Sequence, residues 1–187
     1  MAALFCRPAT VHDAPAIAAL LVRAWREAYA AILPAEVLAA QRVDAREPRI
    51  RALLEGSEPD HTMHVAERDG RIVGFVGFGA ARENPIRPAP AGVGEVFGIY
   101  LDPDAFGSGA GATLLALAEG QLAARFQRAV LWTFEDNARA RRFYERQGWR
   151  HDGAVAPYPR PGCTGVRVVR YQRVLCVGCQ ALGHQIL

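Results

Sequence analysis

Lysine is absent from this 187-residue chain, and all 22 of its basic residues are arginine. That excludes Schiff-base catalysis and the lysine-bearing phosphate loop, both of which need an amine side chain. It also rules out regulation by acetylation of the chain's own lysines. Cysteine is scarce, with four copies, and a disulfide framework is not expected. No run of 18 apolar residues occurs, so no transmembrane helix and no membrane partner are expected. Residues 1–10 do not read as a secretory leader, because Arg7 and Pro8 follow only a short apolar stretch. The expectation is a soluble cytoplasmic protein with reduced thiols. The 22 basic residues exceed the 19 acidic ones by too little to argue for a nucleic-acid partner.

What is present fits one ordinary domain. Apolar residues are 51% of the chain and charged residues 22%, enough for a single sizeable core. Alanine stands at 34 positions, and a GC-rich coding bias accounts for it and for the arginines together.

The pattern predicts a strand over 5–8 and a helix over 14–30, capped by Asp13 and buried through Ile17, Leu20, Leu21, Ala24 and Ala28. Helices over 35–40 and 48–54 follow. Residues 63–67 and 71–79 read as a hairpin turning on Asp69-Gly70. Three prolines make 82–92 a surface loop. A strand over 94–101 leads through the glycine-rich segment 107–111 into a helix over 112–125. A buried strand over 129–134, a helix over 138–147 closed by Gly148, and a strand over 166–175 complete the domain. Residues 176–187 are a tail of no assigned role. This order fits an α/β (α+β) domain with a mixed sheet flanked by helices.

The segment Phe106-Gly107-Ser108-Gly109-Ala110-Gly111-Ala112 lies between a strand and a helix. Small residues there let backbone N–H groups and the helix end meet phosphate. One reading is a dinucleotide fold, since Gly107, Gly109 and Ala112 fit G-x-G-x-x-A and Glu135 or Asp136 ends the next strand. Hairpins before the loop, and little chain after it, argue against that reading.

The other reading uses more residues. The stretch 95–111 resembles the acetyl-CoA motif of the GNAT family of N-acetyltransferases, and Asn137 through Phe143-Tyr144-Glu145 to Gly148-Trp149 resembles that family's later segment. Both blocks lie in the family's order and spacing, and the resemblance extends from Phe5 to Leu175. It implies a mostly antiparallel central sheet, splayed between the strands at 94–101 and 129–134. It also implies acetyl-CoA as cosubstrate and a small-molecule or protein amine as acceptor. Ile99, Tyr100 and Leu101 would meet pantetheine through their backbone. Phe106, Gly107, Ser108, Gly109, Ala110, Gly111 and Ala112 would hold pyrophosphate, and Asn137 and Tyr144 would approach the pantetheine arm and sulfur. Phe106 departs from the family's Gln or Arg at the head of the loop. Family members are often dimers, so a homodimer is also an expectation.

Acetyl transfer needs a base for the ammonium proton and an acid for the leaving thiolate. Glu95 is the candidate base: it lies eleven residues before Phe106, where some relatives carry a catalytic Glu. Tyr144 is the candidate acid, since a phenol of pKa near ~10 is protonated at neutral pH. Trp25, Tyr29 and Phe97 are candidates for the acceptor pocket, and Glu27 could attract a cationic amine or belong to a solvated helix face. Arg139, Arg141 and Arg142 could reach CoA phosphates or form a solvated face. Cys176 and Cys179 with His184 make half of a zinc site, and Cys6 and Cys163 are remote, so no metal is expected. His61 and His64 read as surface residues. The alternative function is a non-catalytic acyl-CoA sensor, suggested by Phe106.

Overall fold

A computed structural model describes residues 4–82 and 91–176. Its strands are β1 (Phe5–Pro8), β2 (His61–Arg68), β3 (Arg71–Ala80), β4 (Gly94–Leu101), β5 (Arg128–Phe134), β6 (Arg150–Pro157) and β7 (Arg167–Val174). Its helices are α1 (Ala14–Ala28), α2 (Ala35–Ala39), α3 (Val43–Leu54), α4 (Ala110–Ala123) and α5 (Ala138–Arg146). The strands form one sheet in the order β1-β2-β3-β4-β5-β7-β6. Every neighbouring pair is antiparallel except β4 and β5. This topology overturns the dinucleotide reading, which needs a largely parallel sheet.

The sheet is covered on both faces. Leu114, Leu115, Ala118 and Leu122 of α4 pack on Val76, Phe78, Val96 and Leu131. On the other face, Ile17, Leu20 and Ala24 of α1 pack with Met63, Val65 and Phe75. Gly94 allows the close approach of α4: a Cβ there would stand 2.8 Å from Leu122 Cδ2. The β2–β3 turn falls on Asp69 and Gly70, both with positive φ, as the hairpin's twist requires.

The feature that positions the site is a split. β4 and β5 pair only where Gly94, Glu95 and Val96 meet Ala129, Val130 and Leu131. Beyond Val96, β4 stays with β3 while β5 stays with β7. A bulge at Gly77/Phe78 adds local twist on the β3 side, and the two halves of the sheet diverge. The expected splay is present.

Four local expectations are corrected. α3 starts at Val43, not near Pro48; the proline removes a single intrahelical donor, and Ile50 anchors the helix in the core shared with α1. Strand β6 was not legible, because it is an edge strand burying only Ala156. Asp13 precedes α1 but does not cap it through its side chain; the carboxylate accepts instead from Arg7 and the Thr10 N–H. His61 and His64 are not surface residues. Strand alternation sends them to opposite faces, where His61 stacks on Phe97 at 4.9 Å and His64 on Phe78 at 5.7 Å. Cys179, His184 and most of the proline-rich loop lie outside the described residues.

Candidate active site

The glycine segment enters α4 with Gly107 at φ 75° and Gly109 at φ 87°. Ser108 stabilises the turn, its hydroxyl donating to the Ala105 carbonyl at 2.7 Å. Among the described residues, the N–H groups of Gly107, Gly109, Gly111 and Ala112 have no protein acceptor. Such a row of uncommitted donors at the start of a 14-residue helix fits an anionic group. At its head Phe106 is 37% exposed, and the Arg139 guanidinium lies 3.9 Å from its ring centroid. The position that lacks a polar side chain therefore carries a stacked cation from α5. Arg141 is turned inward, donating to the Tyr171 hydroxyl and the Glu135 carbonyl. Arg142 is exposed.

At the split, Ile99 and Leu101 pack toward α4 while Tyr100 packs toward α1. The edge of β4 that faces β5 has no strand partner past Val96. Asn137 caps α5, its side chain accepting from the Ala140 N–H at 3.1 Å. About two turns later Tyr144 is buried against Phe143, Trp149 and Tyr171. Burial pushes its phenol well above the ordinary range, so it holds its proton firmly. Burial holds the phenol of Tyr29, at the end of α1, well above its ordinary pKa, and the nearby Tyr100, Tyr144 and Tyr158 add to that rise. Four phenols from separate parts of the chain thus come near one another beside the split.

Trp25 and Tyr29 meet edge to face at 5.1 Å, Tyr29 meets Phe134 at 4.7 Å, and Phe134 meets Tyr158 at 4.8 Å. Phe97 is not part of this cluster. It stacks on His61 under the Arg82 guanidinium, 4.0 Å from its centroid, at a pocket of about 370 Å³ also lined by Glu58 and Asp60. Glu95 is half-buried near that end and accepts from the Arg82 N–H at 3.1 Å. His61 is held to a pKa of about 4, first by burial and then by Arg82. The structure therefore unites Trp25 and Tyr29 and separates them from Phe97. Glu27 is exposed on α1.

Comparison with known proteins agrees with this geometry. The profile of the Acetyltransferase (GNAT) family matches residues 18–149. The chain belongs to the GNAT family. Among solved GNAT-fold structures, PaiA N-acetyltransferase of Thermoplasma acidophilum, in complex with coenzyme A, superposes with a TM-score of 0.71 at 17% identity, over 90% of this chain and 98% of that one. An N-acetyltransferase of Staphylococcus aureus Mu50 gives 0.70 at 21% identity, over 93% and 99%. Mycothiol acetyltransferase of Parafrankia sp. is 35% identical over 108 residues, 52% of this chain and 34% of that protein. The chain spans about a third of the length of the curated relatives it matches. No described helix of this GNAT chain is long and apolar enough to cross a membrane.

Three site-forming residues escaped the sequence reading: Arg46, Arg160 and Tyr158. Arg46 stands on α3, whose start was misplaced, and the other two stand between β6 and β7, where no paired strand was expected. No spacing rule links them to Trp25, because they meet it only through the fold.

Proposed function

We propose that this chain transfers the acetyl group of acetyl-CoA to a primary amine by direct attack in a ternary complex. The observation that carries the reading is the pairing of an uncommitted N–H row at α4 with a parted β4–β5 edge, both in a GNAT chain. Gly107, Ser108, Gly109, Ala110, Gly111 and Ala112 would hold the pyrophosphate, with Arg139 stacked on Phe106 adding a cation. Ile99, Tyr100 and Leu101 would offer backbone groups to pantetheine, in the manner of strand addition. Asn137 holds the start of α5, the helix that would present Tyr144 to the pantetheine sulfur.

Acetyl-CoA bound there supplies an activated acyl group: the acceptor nitrogen forms the new C–N bond, the C–S bond breaks, and CoA leaves as thiolate. Tyr144, kept protonated by burial, donates its proton to that thiolate. Glu95 takes the proton lost by the amine, directly or through water, and Tyr144 is reprotonated from solvent. Trp25 and Tyr29 line the acceptor side, and Phe97 shapes its far end beside Glu95. Residues 1–175 act as the transferase domain.

The test is CoA thiol release with a panel of amines, for the native chain and for Tyr144→Phe and Glu95→Gln. Turnover that falls in both variants supports the assignment. Tight acetyl-CoA binding without turnover of any amine supports the sensor alternative instead.

A further inference from the structure

Two guanidinium groups gather at Trp25. Arg46 comes from α3 and Arg160 from the loop between β6 and β7, and their guanidinium carbons lie 5.0 and 6.0 Å from the indole centroid. Neither has a carboxylate within ion-pair distance among the described residues, whereas Arg7, Arg23 and Arg170 each close on one. Arg46 is held in a set orientation. Its Nε donates to Gln41 Oε1 at 3.0 Å, its Nη2 donates to the same oxygen, and Gln41 is itself buried with its amide nitrogen on the Val37 carbonyl at 2.9 Å. That leaves Nη1 uncommitted. The two cations repel, and burial with this repulsion weakens the hold of Arg46 on its proton.

The surroundings are receptive in other ways. Tyr29 and Tyr100 stand at the same indole and Tyr158 belongs to the same core, and the buried indole N–H forms no hydrogen bond of ordinary geometry. It lies beside the Tyr100 hydroxyl. Tyr158 and Arg160 also line an open pocket of about 800 Å³ at the β6–β7 loop. Stacking on an aromatic ring uses the face of a guanidinium and leaves its N–H edge free, and that edge matches a planar carboxylate.

We propose that the acceptor is an amine that also carries a carboxylate, an amino acid or a close relative of one, and that Arg46 and Arg160 hold that carboxylate. The inference rests on the transferase reading and names the substrate class of its acceptor side. The carboxylate offsets the repulsion between the two guanidiniums, whereas a neutral acceptor leaves both charges uncompensated beside the aromatic cluster. The acid group is unchanged by the reaction, and the product is the N-acetylated acid with free CoA.

The experiment compares an amino acid, its carboxamide and the matching aminophosphonate as acceptors for the full chain. The expected result is a kcat/KM for the acid at least about tenfold above that for the amide. Arg46→Met and Arg160→Met each lower the acid's value about 10- to 100-fold, mainly through KM, the cost of one charge-assisted pair. The amide's value falls by a factor at least several-fold smaller. Thermal melting verifies that the variants fold, and Arg160→Met, on a surface loop, carries the test if Arg46→Met does not fold. A preference for the amide or the phosphonate, or equal losses on acid and amide, overturns the inference while the transferase reading stands. If no amine turns over, calorimetry with an N-acetylated amino acid separates the two ideas. Binding lost in Arg46→Met upholds the carboxylate site and sinks the transferase; no binding in either protein sinks the site as well.

Discussion

Arg7 reaches from β1 to two carboxylates, whereas Arg46 reaches from α3 to a neutral amide. Arg7 donates to Asp13 at 2.7 and 2.8 Å and to Glu67 at 3.1 Å, and holds the Asp13 carboxyl down to a pKa of about 2. That region is closed: each charge meets its opposite inside the chain. Around Trp25 the charges are open, with two guanidiniums, several phenols and, among the described residues, no carboxylate within ion-pair distance of either cation. Both regions use arginine over apolar surface, so residue type does not distinguish them. A closed network resists change and serves stability. An open one has a net field that a ligand can complete, and the contrast separates the part that holds the fold from the part proposed to meet a substrate.

The contrast can be broken at several points. The largest effect belongs to Tyr144→Phe, on the open side: kcat at saturating substrates should fall about 100-fold, with little change in the KM for acetyl-CoA, in a thiol-release assay. On the closed side, Arg7→Met should cost about 2 kcal/mol in urea unfolding, because Asp13 and Glu67 are left facing each other. Arg46→Met should cost well under half of that, and equal costs would erase the distinction.

Protonating His61 adds a charge to a region already balanced by the Arg82–Glu58 pair at 2.6 Å. Its folded pKa of about 4 lies below the ordinary value of 6.5, so the unfolded chain binds the proton first as pH falls. Its contribution is complete above about pH 6.5 and is lost progressively toward pH 4, on the order of 2 kcal/mol by pH 5. In urea melts at pH 7 and pH 5, His61→Phe should lose less stability between the two than the native chain.

Smaller effects sharpen the open side. Gln41→Glu places a carboxylate where the amide oxygen meets Arg46 Nε, closing that charge internally. Turnover of an acidic acceptor should fall about tenfold, comparable to one charge-assisted hydrogen bond, with the amide acceptor unaffected. Arg139→Ala removes the cation stacked on Phe106 and should raise the KM for acetyl-CoA about threefold, an effect that fades with added salt.

Much of the fold was legible because its signals are local. Asp69-Gly70 suits only a tight hairpin, Asn137 offers an oxygen to the first turn of α5, and Gly107 and Gly109 permit the positive φ values of the loop. Strand β6 was missed because an edge strand with one buried side chain carries no hydrophobic period. His61 and His64 looked like surface residues because burial of a histidine depends on what lies across the sheet. Of the three aromatic residues expected at an acceptor pocket, Trp25 and Tyr29 meet edge to face while Phe97 stacks on His61 instead, a grouping that no local pattern carries.

The sequence by itself determined the order of elements apart from β6, the glycine turn and the chemical types at the candidate site, because backbone conformation answers to near neighbours. The absence of lysine belongs to that list, and it left every cationic role to a guanidinium. Only the tertiary structure decided where β4 and β5 part, that four phenols converge there, and which arginines are paired. Arg7 and Glu67 lie sixty residues apart, and Trp25 and Arg160 lie farther still. Whether a charge is satisfied depends on what the fold brings within a few ångströms of it, and no local pattern carries that information.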